Sequence, residues 1–189
     1  MMLCMNVLAK PRMSVDEFLD WAVGRPGRHE LFRGEVWMMS PETVGHAEIK
    51  AAVHAALSSA IRRSGRQCHV LPDGVVIRVD ESTAYEPDAQ VYCGKKLAPS
   101  ALEVPEPVII VEVLSQSTRR VDVSYKLAGY FRLPSVAHYL IVDPTRPSII
   151  HHTRGQGDAI LTRIITEGRI VLDPPGLELA VSEIYGEGA

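Results

Sequence analysis

Apolar residues recur every three or four positions in three segments of the chain, and this spacing is typical of a helix with one buried face. The three segments are 14–22, 45–64 and 118–133. Ser14 opens the first segment and Glu17 follows three residues later, which is the pattern of a capping box. Thr118 stands at the start of the third segment and is the predicted cap of that helix.

Other segments are continuously apolar or alternate between apolar and polar residues, which favours strands. Two short extended runs within 29–39 flank Arg33-Gly34, so this segment is predicted to form a hairpin. The remaining predicted strands are 67–71, 74–79, 85–93, 107–115, 137–142, 148–153 and 159–166. The segment 169–185 is predicted to hold one short strand and a short terminal helix.

The order of these elements predicts the fold class. Helix, hairpin, helix, several strands, helix and further strands follow one another without a repeat, a low-complexity segment or an internal linker. This order favours an α/β (α+β layered) architecture, in which a mixed β-sheet is flanked by helices. The length of 189 residues fits one domain. We expect a loose tail at residues 1–12 and a single domain at residues 13–186.

Composition and charge narrow the classes of partner. Hydrophobic residues make up 46% of the chain and charged residues 23%, as in soluble globular proteins. The formal net charge of −3 is unlike that of a dedicated non-specific nucleic-acid binder, so positive charge facing a nucleic acid must be local or come from a metal. Since no apolar run reaches the roughly 20 residues of a membrane helix, no membrane partner is expected.

The chain holds three cysteines, Cys4, Cys68 and Cys93, which lie far apart and form no Cys-x-x-Cys pattern. Neither a disulfide framework nor a cysteine–zinc site is therefore expected. A reducing cytoplasm is the predicted location.

The continuously apolar run 107–115 is interrupted by a single carboxylate, Glu112. Such a run is typical of a central strand that is covered on both faces. A carboxylate there needs a compensating partner, because an unpaired buried charge costs several kcal/mol, roughly. One interpretation is a core glutamate that is paired with an arginine. The other is a metal ligand or catalytic acid at a strand end, where α/β sheets carry their sites.

Asp88 stands at the start of the predicted strand 85–93, directly after Pro87. Neighbouring strands lie about 4.8 Å apart, so Asp88 and Glu112 could share one cation if their strands are adjacent. Pro72-Asp73 repeats the Pro-Asp pair, but Gly74 follows it and makes it typical of a turn. Asp88 is therefore the preferred ligand.

The predicted third helix presents Asp122, Lys126 and Tyr130 at four-residue spacing, on one face. A solvated face with an Asp122–Lys126 pair is the plainer interpretation of this spacing. Glu30 in the hairpin and His46 at the start of the long helix are unremarkable taken singly, and a histidine there is usually a structural hydrogen-bonder.

Several segments in this order and spacing carry a family resemblance. They are 29–36, His46, Glu86-Pro87-Asp88, 111–118, 122–130, Val142-Asp143-Pro144 and 175–179. With them the chain, from about Met13 to Tyr185, resembles the PD-(D/E)XK nuclease superfamily. More narrowly, it resembles the bacterial family of restriction-endonuclease-like proteins known as domain of unknown function 820.

The resemblance implies a restriction-endonuclease-like core, a homodimer and Mg²⁺-dependent cleavage of DNA phosphodiester bonds, with Mn²⁺ as an alternative ion. It implies that Asp88 and Glu112 hold the metal and that Glu30 occupies an upstream acidic position. His46 and Tyr130 are possible supporting residues. The superfamily lysine would stand two residues after Glu112, but that position is Leu114. The resemblance suggests that Lys126 reaches in from the following helix instead.

Two hypotheses of different classes follow. The first is a metal-dependent DNA endonuclease in which Glu112 is essential. The second is a nuclease fold without cleavage activity that acts as a binding or regulatory homodimer, and Leu114 at the lysine position motivates it. A third, weaker hypothesis is a metal-dependent phosphoesterase that acts on small substrates.

Overall fold

The computed structural model describes residues 12–115 and 122–186. The predicted tail, apart from Arg12, and the predicted cap Thr118 lie outside these residues. The helices are α1 (Val15–Ala22), α2 (Val44–Ser64), α3 (Asp122–Phe131) and α4 (Ser182–Tyr185). The strands are β1 (His29–Phe32), β2 (Glu35–Met38), β3 (Cys68–Pro72), β4 (Ile77–Asp80), β5 (Thr83–Tyr85), β6 (Ala89–Cys93), β7 (Pro107–Val113), β8 (His138–Val142), β9 (Ile149–Arg154), β10 (Ile160–Ile165), β11 (Arg169–Leu172) and β12 (Leu177–Ala180).

Local signals produce the first elements as predicted. The Ser14 hydroxyl accepts a hydrogen bond from the Glu17 amide at 3.2 Å, and the Glu17 carboxylate accepts one from the Ser14 amide at 2.8 Å. This capping box begins α1. Arg33 (φ 52°) and Gly34 (φ 81°) are both left-handed, as the tight turn of the β1–β2 hairpin requires. A Cβ on Gly34 would lie 2.6 Å from the Arg12 Cβ, so this position needs glycine.

The predicted mixed sheet flanked by helices is confirmed. Six strands lie in the order β10-β9-β8-β7-β6-β3, with β7 and β8 parallel and the other neighbours antiparallel. Strand β7 is interior to the sheet, and its side chains alternate between two apolar clusters. Ile109 and Val111 pack with Leu57 of α2 on one face, whereas Ile110 packs with Tyr130 of α3 on the other. The structure thus covers the predicted central strand on both faces.

A second sheet, in the order β2-β1-β5-β4, was not predicted. The predicted strands 74–79 and 85–93 are wrong at their boundaries, because the chain turns after Asp80 and the intervening residues form β5. Pro87 cannot donate a backbone hydrogen bond, so β6 begins only after it. The prediction of a single strand in the C-terminal segment 169–185 is also wrong. This segment forms the β11–β12 hairpin before α4.

The structure corrects the expectation for the cysteines. Cys68 of β3 and Cys93 of β6 stand directly opposite each other in the antiparallel ladder and form a disulfide, with their Cα atoms 3.9 Å apart. The two residues are 25 positions apart in sequence, and only the pairing of β3 with β6 brings them together. Within the described ranges, no helix combines the length and apolarity that crossing a membrane requires.

Candidate active site

The two strand carboxylates come together at one end of the β6–β7 pair. Ala89 is the register partner of Val111, so Asp88 and Glu112 follow at the next step of the antiparallel ladder. The Asp88 carboxylate accepts a hydrogen bond from the Val113 amide at 2.8 Å, which holds it against β7. Its negative charge is among the causes that raise the pKa of Glu112. The two carboxylates are therefore close enough to influence each other electrostatically.

Glu112 is largely buried beside α3, with a side chain 14% exposed, and its carboxylate meets two donors from that helix. The Lys126 ammonium lies 3.0 Å from Oε1, and the Tyr130 hydroxyl donates to the same oxygen at 2.7 Å. Burial raises the pKa of Glu112 to about 8, even though the positive charge of Lys126 acts in the opposite direction. The cation facing Glu112 is thus a lysine, whereas one interpretation of the sequence paired Glu112 with an arginine. The negative charge of the Glu112 carboxylate is incompletely compensated.

Lys126 points into the protein rather than into solvent. The residue is 3% exposed, and its ammonium lies 2.8 Å from Glu30 and 3.0 Å from Glu112. The interpretation of this residue as part of a solvated helix face is therefore wrong. Leu114, at the superfamily lysine position, packs into the apolar cluster under α3. The ammonium beside the carboxylates therefore comes from Lys126 on the following helix α3, not from a lysine at position 114 after β7.

Glu30 joins the second sheet to the main sheet at this point. It lies on β1, is 9% exposed, and its Oε1 accepts from both Lys126 and the Glu86 amide, the latter at 2.8 Å. The hairpin therefore supplies a carboxylate that fixes Lys126 and also holds the segment leading to Asp88. The second sheet, absent from the prediction, positions this residue.

A network of ion pairs surrounds the other side of Asp88. Arg28 contacts Glu86 at 2.6 Å and Asp73 at 2.8 Å, and it also pairs with Glu42. Lys50 of α2 lies 2.6 Å from Asp73 and 3.6 Å from Asp88. Burial lowers the pKa of Lys50, but hydrogen bonds to Asp73 and Glu42 outweigh this effect and raise it. Lys50 is thus held in its charged form.

Negative charge exceeds positive charge in this cluster. Six carboxylates face three fixed cations, which leaves an excess of three negative charges when every carboxylate is ionised. The carboxylates are Glu30, Glu42, Asp73, Glu86, Asp88 and Glu112, and the cations are Arg28, Lys50 and Lys126. Such an excess in a largely buried site favours uptake of protons or of metal cations.

His46 lies at the first turn of α2, next to Asp88. Its amide donates to the Thr43 hydroxyl at 3.3 Å, which caps the helix. Its Nε2 lies 3.0 Å from the Val113 carbonyl oxygen and 3.8 Å from Asp88 Oδ2. His46 is thus a structural hydrogen-bonder, as the plainer interpretation expected, and it also belongs to the cluster. Glu42, His46 and Asp88 form a group of three ligand-type side chains whose ligand atoms lie within 4.8 Å of one another.

The structure brings all six sequence-derived candidates, Glu30, His46, Asp88, Glu112, Lys126 and Tyr130, into this cluster. Sequence reasoning missed five further residues, Arg28, Glu42, Lys50, Asp73 and Glu86. Glu42, His46 and Lys50 are spaced by four residues, which was a usable signal. Asp73 was assigned to a turn, and it does follow β3, but its side chain also reaches Arg28 and Lys50.

Comparison with known proteins supports the resemblance. An uncharacterized protein of Synechocystis sp. is 28% identical over 177 residues, which cover 93% of this chain and 92% of that protein. A crystal structure from Anabaena variabilis, of "a putative nuclease belonging to DUF820", matches with a TM-score of 0.70 at 14% identity. The match covers 92% of this chain and 97% of that chain, and at this identity it shows a shared fold. Residues 15–182 match the family Uma2, described as "Putative restriction endonuclease". The chain therefore belongs to the Uma2 family.

Proposed function

We propose that this protein is a divalent-metal-dependent endonuclease that hydrolyses phosphodiester bonds of DNA, with Mg²⁺ as the ion and Mn²⁺ as a substitute. One observation carries the proposal. The buried ammonium of Lys126 lies against Glu30 and Glu112, beside Asp88. Carboxylates can hold a metal ion that activates water, and an ammonium beside them can stabilise the negative charge that develops on a phosphate.

The donor set fits a hard divalent cation. Asp88 and Glu112 would hold the ion, because Mg²⁺ prefers carboxylate oxygens and keeps several of its waters. The pKa of Glu112, raised to about 8 by burial, indicates a carboxylate whose charge lacks full compensation without a further cation. When bound, the ion would polarise the scissile phosphate and acidify a coordinated water.

The side chains of the protein supply positioning and charge. Lys126 can donate to a phosphate oxygen and stabilise the extra negative charge of the transition state. Glu30 holds the Lys126 ammonium at 2.8 Å and thereby fixes its direction. The Tyr130 hydroxyl donates to Glu112, which restricts the orientation of that carboxylate. Glu30 and Tyr130 are thus positioning residues in the proposed mechanism.

The hypothesis of a catalytically silent binding protein was based on the apolar Leu114 at the lysine position. Lys126 weakens this argument, because its ammonium lies 3.0 Å from Glu112 despite the leucine. Membership of the Uma2 family supports the nuclease over the binding protein and over the small-substrate phosphoesterase.

We extend the proposal to the domain organisation, the oligomeric state and the cellular location of the protein. Residues 13–186 would act as one domain, in a homodimer, in the cytoplasm where DNA lies. Ile160 and Ile164 lie on the same face of the edge strand β10, are 36% and 72% exposed, and offer an apolar surface for a second copy. In a reducing cytoplasm the Cys68–Cys93 bond would be open. Sedimentation equilibrium measures the state of association.

The test is cleavage of supercoiled plasmid by purified protein with Mg²⁺, with Mn²⁺ and with EDTA. Glu112→Gln keeps the size and hydrogen-bonding ability of the side chain but removes its charge, and we expect it to abolish nicking. Glu48→Gln is the matched control, because Glu48 is an exposed glutamate on α2. Metal-dependent nicking by the wild type and the control, absent in Glu112→Gln, supports the proposal. Equal nicking by all three proteins, or none by the wild type, contradicts it.

A further inference from the structure

We propose that Glu42, His46 and Asp88 form a second cation site, which takes a first-row transition ion of the Mn²⁺ or Zn²⁺ type in preference to Mg²⁺. The inference deepens the proposed function and rests on it in treating Asp88 as a metal ligand. Ligand-type atoms of these three residues lie within 4.8 Å of one another. Glu42 precedes α2 and His46 lies in its first turn, so the site is beside the start of this helix.

The hydrogen bonding of His46 assigns its tautomer. Its Nε2 lies 3.0 Å from the Val113 carbonyl oxygen, which can only accept. Nε2 must therefore carry the hydrogen, and the lone pair of the neutral ring resides on Nδ1. This is the arrangement of metal-binding histidines, in which the nitrogen that does not bind the ion donates to a carbonyl or carboxylate.

The Nδ1 atom lacks a hydrogen-bond partner among the described residues, although His46 is only 8% exposed. It faces Glu42 Oε2 at 3.5 Å. A ring nitrogen with a lone pair and a carboxylate oxygen repel each other unless something positive lies between them. Leaving a buried polar atom without a hydrogen-bond partner is unfavourable, so this arrangement indicates a missing ligand.

The spacing suits an ion. A cation about 2.1 Å from both Nδ1 and Oε2, the usual metal–nitrogen and metal–oxygen distance, would see them at an angle of about 110°. Lys50 and Arg28 both approach the other oxygen of Glu42, Oε1, so Oε2 stays available to an ion. Asp88 Oδ1 faces the same two cations at longer distances, 3.6 Å and 3.8 Å.

The donor set decides the class of ion. One imidazole nitrogen with carboxylate oxygens favours transition ions over Mg²⁺, which demands an oxygen shell and gives up its waters reluctantly. The Asp88–Glu112 pair offers oxygen alone. Two neighbouring sites of different preference would therefore share Asp88, and the side nearer α2 would be the transition-metal site.

The test is binding of Mn²⁺ to metal-stripped protein without nucleic acid, in the presence of excess Mg²⁺. Electron spin echo modulation of the bound Mn²⁺ reports a coordinated imidazole nitrogen. We expect one Mn²⁺ per chain with a nitrogen signal in the wild type and in Glu112→Gln. If Mn²⁺ bound to the wild type shows no nitrogen coupling, the proposal is overturned. The positive charge between His46 and Glu42 would then be a proton on the Nδ1 atom of His46.

Two variants locate the ligand. His46→Gln should abolish the nitrogen signal, and Glu42→Gln should weaken Mn²⁺ binding at least about tenfold. The Glu42 side chain is 27% exposed, so its replacement does not threaten folding. Glu48→Gln, on the same helix, should bind as the wild type does. Unchanged Mn²⁺ affinity in Glu42→Gln contradicts the proposal. An absence of plasmid cleavage would count against the proposed function but would not alter this result.

Discussion

Replacement of Lys126 by methionine tests the buried charge cluster directly. The substitution removes the ammonium that lies 2.8 Å from Glu30 and 3.0 Å from Glu112. Because Lys126 is only 3% exposed, water cannot readily replace it. Removing one partner of a buried ion pair costs about 3–5 kcal/mol. Above pH 8 Glu112 is ionised beside Lys126, and it can relieve part of this cost by taking up a proton when the ammonium is removed, because burial raises its pKa and the charge of Lys126 lowers it. We therefore expect the free energy of unfolding to fall by an amount near the lower limit of this range, about 3 kcal/mol.

The assay is urea unfolding in EDTA at a pH above the Glu112 pKa of about 8, where this carboxylate is ionised in the wild type, followed by circular dichroism and extrapolated linearly to water. Glu112→Gln in the Lys126→Met background removes the uncompensated carboxylate and should recover about half of the loss. Lys96→Met, at an exposed lysine, should change the free energy of unfolding by less than about 0.5 kcal/mol. A Lys126→Met protein as stable as this control would contradict the prediction, as would a double variant whose losses of stability simply add.

Two further predictions concern regions away from the cluster. Opening the Cys68–Cys93 bond, by reductant or by Cys93→Ser, should lower the free energy of unfolding by about 3 kcal/mol, since the bond closes a loop between residues 25 positions apart. Urea unfolding with and without reductant measures this loss, and three free thiols in purified, air-oxidised protein would contradict the prediction. Burial, reinforced by the charges of His138 and Arg163, lowers the pKa of His151 from 6.5 to about 4. In acid, His151 therefore binds a proton more readily in the unfolded chain than in the folded protein. The contribution of His151 to the free energy of unfolding is fully present above pH 6.5 and is lost as the pH falls towards 4. The slope is at most about 1.4 kcal/mol per pH unit. Stability measured across this range should fall less steeply in His151→Asn than in the wild type, and identical curves would exclude His151 as the cause.

Much of the fold could be predicted because its signals are local. The capping box of Ser14 and Glu17, the Arg33-Gly34 turn and the apolar period of α2 each depend on residues a few positions apart. Strand β7 was recognisable from its continuous apolar run, and that same run made Glu112 conspicuous. Asp88 followed from its place at the start of a strand. The fold class, most of the order of elements and two carboxylates of the candidate site could thus be predicted from the sequence, whereas β5 and the β11–β12 hairpin could not.

Which distant residues meet depends on the packing of the whole chain. Lys126 has equally good local reasons to face solvent, and the docking of α3 onto the sheet buries it instead. The pairing of β3 with β6 creates the disulfide, and the second sheet carries Glu30 to Lys126. Arg28 reaches Glu86 across 58 positions of the chain. Local periodicity specifies which face of an element is apolar, but side-chain partners between layers depend on strand register and helix docking, which are set by the packing of the whole chain.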